Sequence, residues 1–477
     1  MREFASSRAI VRACRNEPVD SRTITSILRS APWLGRKSLA DFGDSRVLSS
    51  ESGIVSNSSL SKTITDFHRR AGTFQSVGPW QSGVRRIVRL AHQPNTLAYG
   101  RLLFQFIALE TLAEIADARA LFVFIDYDTC SDARFLRTSI PFLGAIDGGI
   151  GIGLTRSCVP HRSDLLAVAP PPPVKWLDHI ELMAKSSLSF CRPPLVNGSL
   201  AEVVQGRMQT LLDDMRYACE ASSSLADACA IYLSRVVNLR LGLNVHFCPA
   251  SALWDLMPDA TVDTLVEEWP SIHSAISRSA TKLASSTEGF VPSSVVSEDA
   301  SILPLWWRCP CGTRAPLRNA DNKSRFSHRF GFGQCIRCGR SIRVPLRGIS
   351  GNVKTAPRVV AHNALNRIGF GYTSGVNHIG SADHVLCHSL ALSELGWPVL
   401  QQAVWQADGS FGTWVETLEA QSSRFQRVAW KNATDLISSG AASSLYYLSA
   451  LNGLFLTMTA KRELLSKSLD DRWELFN

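Results

Sequence analysis

Four cysteines in two close pairs, Cys309 with Cys311 and Cys335 with Cys338, are the residues whose type and spacing best suit a defined chemistry. Thiolates from two short turns, separated by a loop of a few tens of residues, converge tetrahedrally on one Zn2+ ion. The turn Cys335-Ile336-Arg337-Cys338-Gly339 is the stronger half, because a C-x-x-C-G turn aims both sulfurs at one point and the glycine relieves the crowded backbone. Cys309-Pro310-Cys311 is one residue shorter. His328 is therefore the alternative fourth ligand, and ordinary buried thiols are the alternative to a metal. Four protein ligands leave no position for substrate, so the zinc expected is structural.

Three polar clusters elsewhere suit a ligand crevice. His92 and Asn95 stand where a strand gives way to a helix, and a phosphate can settle on the unpaired N–H groups there. Capping of the helix by Asn95 or Thr96 is the alternative. No glycine triplet accompanies them, which disfavours a nicotinamide-type dinucleotide loop. Asp126 and Asp128 directly follow a buried strand and suit an amino group, a ribose or Mg2+. Asp132 with Arg134 or Arg137 reads equally as a surface ion pair. Gly375, Asn377, His378, Gly380, Asp383 and His384 fall within ten residues, directly before an expected helix. Their glycines let backbone approach a ligand, and two histidines with an aspartate bind phosphate or transfer protons near neutral pH.

The elements that must position these groups read as an α/β core. Residues 86–91 suit a strand, 96–119 a long helix and 120–126 a buried strand, which together make a β-α-β unit with its crevice at the carboxyl ends of the strands. Residues 1–80 are rich in Ser and Arg and suit a partly ordered arm with short helices; 81–175 hold the first half of the core, ending at the polyproline run 170–173. Apolar residues recur at three and four through 200–220, 224–241 and 261–283, so 176–300 read as a helical insertion. A zinc ribbon at 301–350 follows, and 351–477 carry helices at 358–367 and 382–395, a strand at 398–405 and the second half of the core. The apolar stretch 441–460 is broken by Ser443, Ser444, Ser449, Asn452 and Gly453, and suits a buried helix better than a membrane span.

Composition sets bounds on all of this. A chain of 477 residues accommodates two or three domains and needs no disulfides to fold. Twelve scattered cysteines without a secretory apolar segment indicate a reducing, cytoplasmic setting and no membrane partner. A net charge of +9 permits phosphate-bearing ligands such as nucleotides or tRNA without requiring them.

The order of a histidine-bearing first turn, an Asp-rich second turn, a cysteine module and a G-x-x-H-x-G-S-x-D-H loop resembles the nucleotide-binding fold of class I aminoacyl-tRNA synthetases. It is most similar to the class I lysyl enzymes, and also to the bacillithiol-type cysteine-adding ligases. Residues 86–140 and 305–405 carry the likeness. It implies a Rossmann-like parallel sheet and ATP with Mg2+, with His92 and Asn95 on the phosphates and Asp126 and Asp128 on the amino-acid side. It further implies that Gly375, Asn377, Gly380, Asp383 and His384, with His378, read ribose and adenine. Lys467, in Leu465-Ser466-Lys467-Ser468, matches the mobile lysine that stabilises departing pyrophosphate. The expected function is a synthetase-like ligase that transfers an activated amino acid onto tRNA, a carrier protein or an amino sugar. The alternatives are a zinc-ribbon nucleic-acid-binding protein without catalysis and a degenerate nucleotide-binding paralogue.

Overall fold

The computed structural model describes, side chains included, residues 58–80, 87–94, 118–130, 161–175, 209–282 apart from 211 and 241, 299–319 and 330–358, and the backbone alone at 283–286. It adds single positions within 106–114 and 177–182, Ala391 and Leu395, and backbone at 137–140, 150–153, 198–208, 211, 375–378, 402–405 and 411–412. Asn95, His328, Gly380, Asp383, His384, Lys467 and the segment 441–460 lie outside the described residues.

Along the chain come helices α1 (Ser58–Ala71) and α2 (Phe74–Val77), then strands β1 (Ile87–His92) and β2 (Arg119–Phe124). A small hairpin follows, β3 (Arg137–Ile140) with β4 (Ile150–Gly153). Helices α3 (Gly198–Ala221) and α4 (Leu225–Ser234), the latter running on into a π-helical turn at Arg235–Arg240, lead to β5 (Val245–Pro249). Helices α5 (Ala250–Trp254) and α6 (Asp259–Ser286) then precede β6 (Ile302–Cys309), β7 (Thr313–Asn319), β8 (Phe330–Gln334) and β9 (Ser341–Pro345). The short α7 (Ile349–Asn352), β10 (Thr355–Pro357), β11 (Gly375–His378), β12 (Gln402–Trp405) and β13 (Phe411–Gly412) complete the order.

The result is a mixed α/β protein with two main sheets. The first has the order β13-β12-β11-β1-β2-β5, parallel throughout except for β13. Its central strands are largely apolar, as burial on both faces requires: Ile87, Val88 and Leu90 of β1 and Leu121, Phe122, Val123 and Phe124 of β2 are all buried. Rings lock its centre. Phe247 of β5 stacks on Phe67 of α1 at 5.8 Å and on Phe106 at 5.7 Å.

One expectation is corrected here. The segment 176–300 is not wholly helical, because β5 pairs with β2 and makes that segment part of the sheet. The run Val245-His246-Phe247-Cys248 is apolar enough for a buried strand but short enough to hide between helices. Residues 58–80 form short helices, and Leu60, Ile64, Phe67 and Ala71 recur at helical spacing and are buried.

The second sheet is antiparallel, in the order β10-β6-β7-β8-β9. It alternates along most of its length, with a register shift in β6 between Ile302 and Trp306. Leu303, Leu305, Trp307, Ala315, Leu317 and Val344 face inward, and Trp306, Arg314, Arg318, Phe332 and Arg343 alternate with them on the other side. Its buried side shares one core with α6 and the parallel sheet, for Leu121, Val123, Trp269, Ile272, Trp307 and Leu317 belong to a single cluster. Two indoles fasten the contact: Trp254 donates to Thr355 Oγ1 at 2.9 Å and Trp269 to the Ile302 carbonyl at 2.9 Å. Among the described residues no helix is long and apolar enough to cross a membrane.

Candidate metal centre and the neighbouring sheet edge

The four paired cysteines meet at one end of the antiparallel sheet, with all four Sγ atoms within 4.8 Å of one another. Cys309 Sγ lies 3.7 Å from Cys338 Sγ, and Cys311 Sγ 3.5 Å from Cys335 Sγ. Sulfurs bound at about 2.3 Å to one tetrahedral ion stand about 3.8 Å apart, so the quartet is placed to hold zinc with adjustments of about 1 Å or less. The other described cysteines, Cys130, Cys219, Cys229 and Cys248, are buried thiols, and burial raises the pKa of each.

The shortened first pair works because a hairpin end replaces the usual turn. Cys309 closes β6, Thr313 opens β7, and Gly312 between them takes φ 88° while its N–H donates to the Cys309 carbonyl at 2.9 Å. That left-handed conformation favours glycine. Opposite it, Gly339 at φ 69° donates to the Cys335 carbonyl at 2.9 Å and reverses the chain towards β9. Sequence reasoning missed Thr313, a buried hydroxyl 3.1 Å from Cys335 Sγ and 3.5 Å from Cys311 Sγ. Its only signal was a hydroxyl two residues after a cysteine. Burial opposes ionisation of Cys335, but the Thr313 hydroxyl and the N–H groups of Cys338 and Arg337 outweigh it and bring the thiol down to about 6. Burial pushes Cys309 up to about 12. Hydroxyl and amide donors around a sulfur are what a thiolate ligand needs.

The metal end of the sheet is fixed to the carboxyl edge of the parallel sheet. The Arg314 guanidinium lies 2.8 Å from Asp128 Oδ1 and donates to the Tyr127 carbonyl at 3.0 Å. The Leu165 N–H donates to the Gly312 carbonyl at 2.9 Å, and Arg337 pairs with Asp164. Asp128 also accepts from Gln93 Nε2 at 2.8 Å, which joins the turn after β1 to the turn after β2.

Asp126 has a different environment. It is buried, accepts the Ser251 N–H at 2.9 Å and bonds the Ser251 hydroxyl, so it holds the start of α5 under the edge of the sheet. Burial raises its pKa, against the opposing hydrogen bonds from Ser251. His92 ends β1 with Nδ1 2.8 Å from the Gln93 carbonyl oxygen.

Gly375, Asn377 and His378 were expected in a loop, but their backbone forms strand β11. Arg89 pairs with Gly375, and three residues further along both parallel strands His378 stands level with His92. His92 in turn pairs with Phe124, two residues before Asp126. The ends of β11, β1 and β2 thus lie side by side at one edge. No protein-family model and no curated protein matches this chain.

Proposed function

We propose that the chain is a nucleotide-dependent ligase with a Rossmann-like core and a zinc ribbon, in which ATP with Mg2+ docks where β1 and β11 adjoin. The observation that carries this reading is the strand order. Taken in chain order, the five parallel strands stand 3-2-1-4-5 across the sheet, an order used by doubly wound nucleotide-binding folds, whose ligands enter at the carboxyl ends where the order reverses. That point lies between β1 and β11, the strands ending in His92 and His378.

In this reading zinc holds the two cysteine turns together and does no chemistry on the substrate. The N–H groups after β1 receive phosphate, and His92 and His378 donate hydrogen bonds to it. Asp126 and Asp128 shape the wall: the first anchors Ser251, and the charge of the second is offset by Arg314. The amino-acid acceptor chemistry implied by the synthetase resemblance follows from nucleotide activation, with bound orientation supplying much of the rate.

Calorimetric titration of the zinc-loaded chain with Mg-ATP tests the reading, together with pyrophosphate exchange across the twenty amino acids. Binding is expected, weakened about tenfold or more by His92→Ala or His378→Ala, equivalent to about 1.4 kcal/mol. Exchange with one amino acid supports the ligase, binding with silent exchange supports the degenerate paralogue, and no nucleotide binding overturns both.

A further inference from the structure

The outward face of the antiparallel sheet carries a pattern that the metal centre does not require. Zinc ligation needs only the sheet's end, and packing on α6 needs only its inner side. The other side alternates guanidinium groups with aromatic rings across four strands and the segment after β10. Arg314 lies 4.5 Å and Arg358 4.8 Å from the centre of the Trp306 indole. Across the sheet Arg343 lies 4.3 Å from the centre of the Phe330 ring and 5.6 Å from that of Phe332.

Register confirms that these side chains share a face. Trp306 pairs with Pro316, Arg318 with Phe332, and Phe332 with Arg343, and residues two apart on one strand point the same way. Phe332 is 37% exposed, although rings of its size ordinarily lie inside. Strands stand about 4.8 Å apart, so the indole and the Phe332 ring lie roughly 10 Å apart across the sheet.

The charge on this face is incompletely matched. Arg318 pairs with Asp299 and Arg314 with Asp128, but among the described residues neither Arg343 nor Arg358 has a carboxylate in ion-pair range. Burial and the neighbouring Arg314 and Arg318 push the Arg358 guanidinium down to about 10. Three guanidinium groups held close together are relieved by an anion. Rings and guanidinium planes at nucleotide-scale spacing offer stacking surfaces for bases, while the same cations attract phosphates.

We propose that this face binds single-stranded nucleic acid, with bases stacking on Phe332 and the Arg–Trp306–Arg layer and phosphates held by Arg318, Arg343 and Arg358. A flat sheet with exposed rings reads strands whose bases are free, and a duplex keeps its bases stacked inside. A segment on the order of four nucleotides covers the face. The face meets the wall of the proposed nucleotide crevice at Arg314, which pairs with Asp128, and the proposal stands whether or not ATP binds.

Fluorescence anisotropy with the zinc-loaded full chain tests this, using labelled 20-nucleotide mixed-sequence RNA and DNA single strands and a hairpin duplex, over a range of salt. Preferential binding of either single strand is expected, and the RNA and DNA arms identify the source. The double variant Arg343→Gln with Arg358→Gln should weaken binding about tenfold or more and flatten the salt dependence. Phe332→Ala should weaken it about fivefold or more with the salt slope kept. Arg343 and Phe332 are exposed and Arg358 is partly buried, so unchanged zinc content and melting temperature verify folding, and Arg343→Gln alone should weaken binding in the same direction. The charge-matched control Arg278→Gln with Lys282→Gln, on exposed α6, should change affinity less than twofold. Equal loss in that control, preference for duplex, or no single-strand binding at low salt overturns the proposal.

Discussion

Asp126 shows how one side chain changes meaning once its partner is known. A carboxylate directly after a buried strand reads as a ligand group in sequence, yet here it receives both the N–H and the hydroxyl of Ser251, 125 residues away. Nothing in a linear reading pairs those positions. Asn can accept the same N–H and donate to the same hydroxyl, so Asp126→Asn should leave stability within about 1 kcal/mol, whereas Asp126→Ala should cost about 2–3 kcal/mol by stranding buried donors. Urea melts of the two variants decide it, and a large loss for Asn would contradict the anchoring role. His68 and His246 make a second residue-scale case. Both are 1% exposed, and their ring centres lie 5.7 Å apart. His68 Nε2 accepts the Phe247 N–H at 3.0 Å, which requires the neutral ring. Burial first, and then the neighbouring charge, push His68 down to about 3 and His246 to about 4. Each folded value lies below the unfolded value near 6.5, so their contribution is complete above pH 6.5 and is lost as the pH falls below it. Between pH 6.5 and 5 the loss should be on the order of 2 kcal/mol for each histidine. Urea midpoints at pH 7.5 and 5.0 measure it, and His246→Phe should narrow the difference.

At the scale of elements, what was legible followed local periodicity. The helices α3, α4 and α6 lie where apolar residues recur at three and four, and β1 and β2 lie where apolar runs stand. The cysteine turns were legible too, because metal ligation needs short spacings that survive in sequence, even with the first pair one residue short. Strand β5 was hidden by its brevity between helices. Strand β11 was hidden by its glycine and histidine, which read as loop residues until parallel neighbours on both sides supply the hydrogen bonds. The basic and aromatic face of the second sheet emerges only when period-two alternation is combined with cross-strand register. The contact between the two sheets was equally silent, since Arg314 and Asp128 are far apart in the chain. Their side chains are only 16% and 22% exposed, so a double-mutant cycle with Arg314→Ala and Asp128→Ala should give a coupling of about 1–2 kcal/mol. A coupling near zero would mean that the Arg314–Asp128 pair does not help to hold the second sheet in place.

For the molecule as a whole, the consequence of the shared core is that metal and fold are coupled. Cys309 and Cys335 belong to the same buried cluster as Leu121 of the parallel sheet and Trp269 of α6. Chelation should therefore lower the melting temperature of the main calorimetric transition, and Cys335→Ser should abolish a zinc content of about one ion per chain. A separate low-temperature transition, with the main one unmoved, would instead describe an independent ribbon. The strand order makes the functional proposal equally global, because the ends of β1 and β11, far apart in the chain, adjoin at one edge of the sheet. Hydrogen–deuterium exchange with and without Mg-ATP tests that claim most directly. The account predicts slowed exchange in peptides covering 92–94 and 375–378 together, at the adjoining ends of β1 and β11. Unchanged exchange in both under saturating Mg-ATP, or slowing confined to the antiparallel sheet, would contradict it.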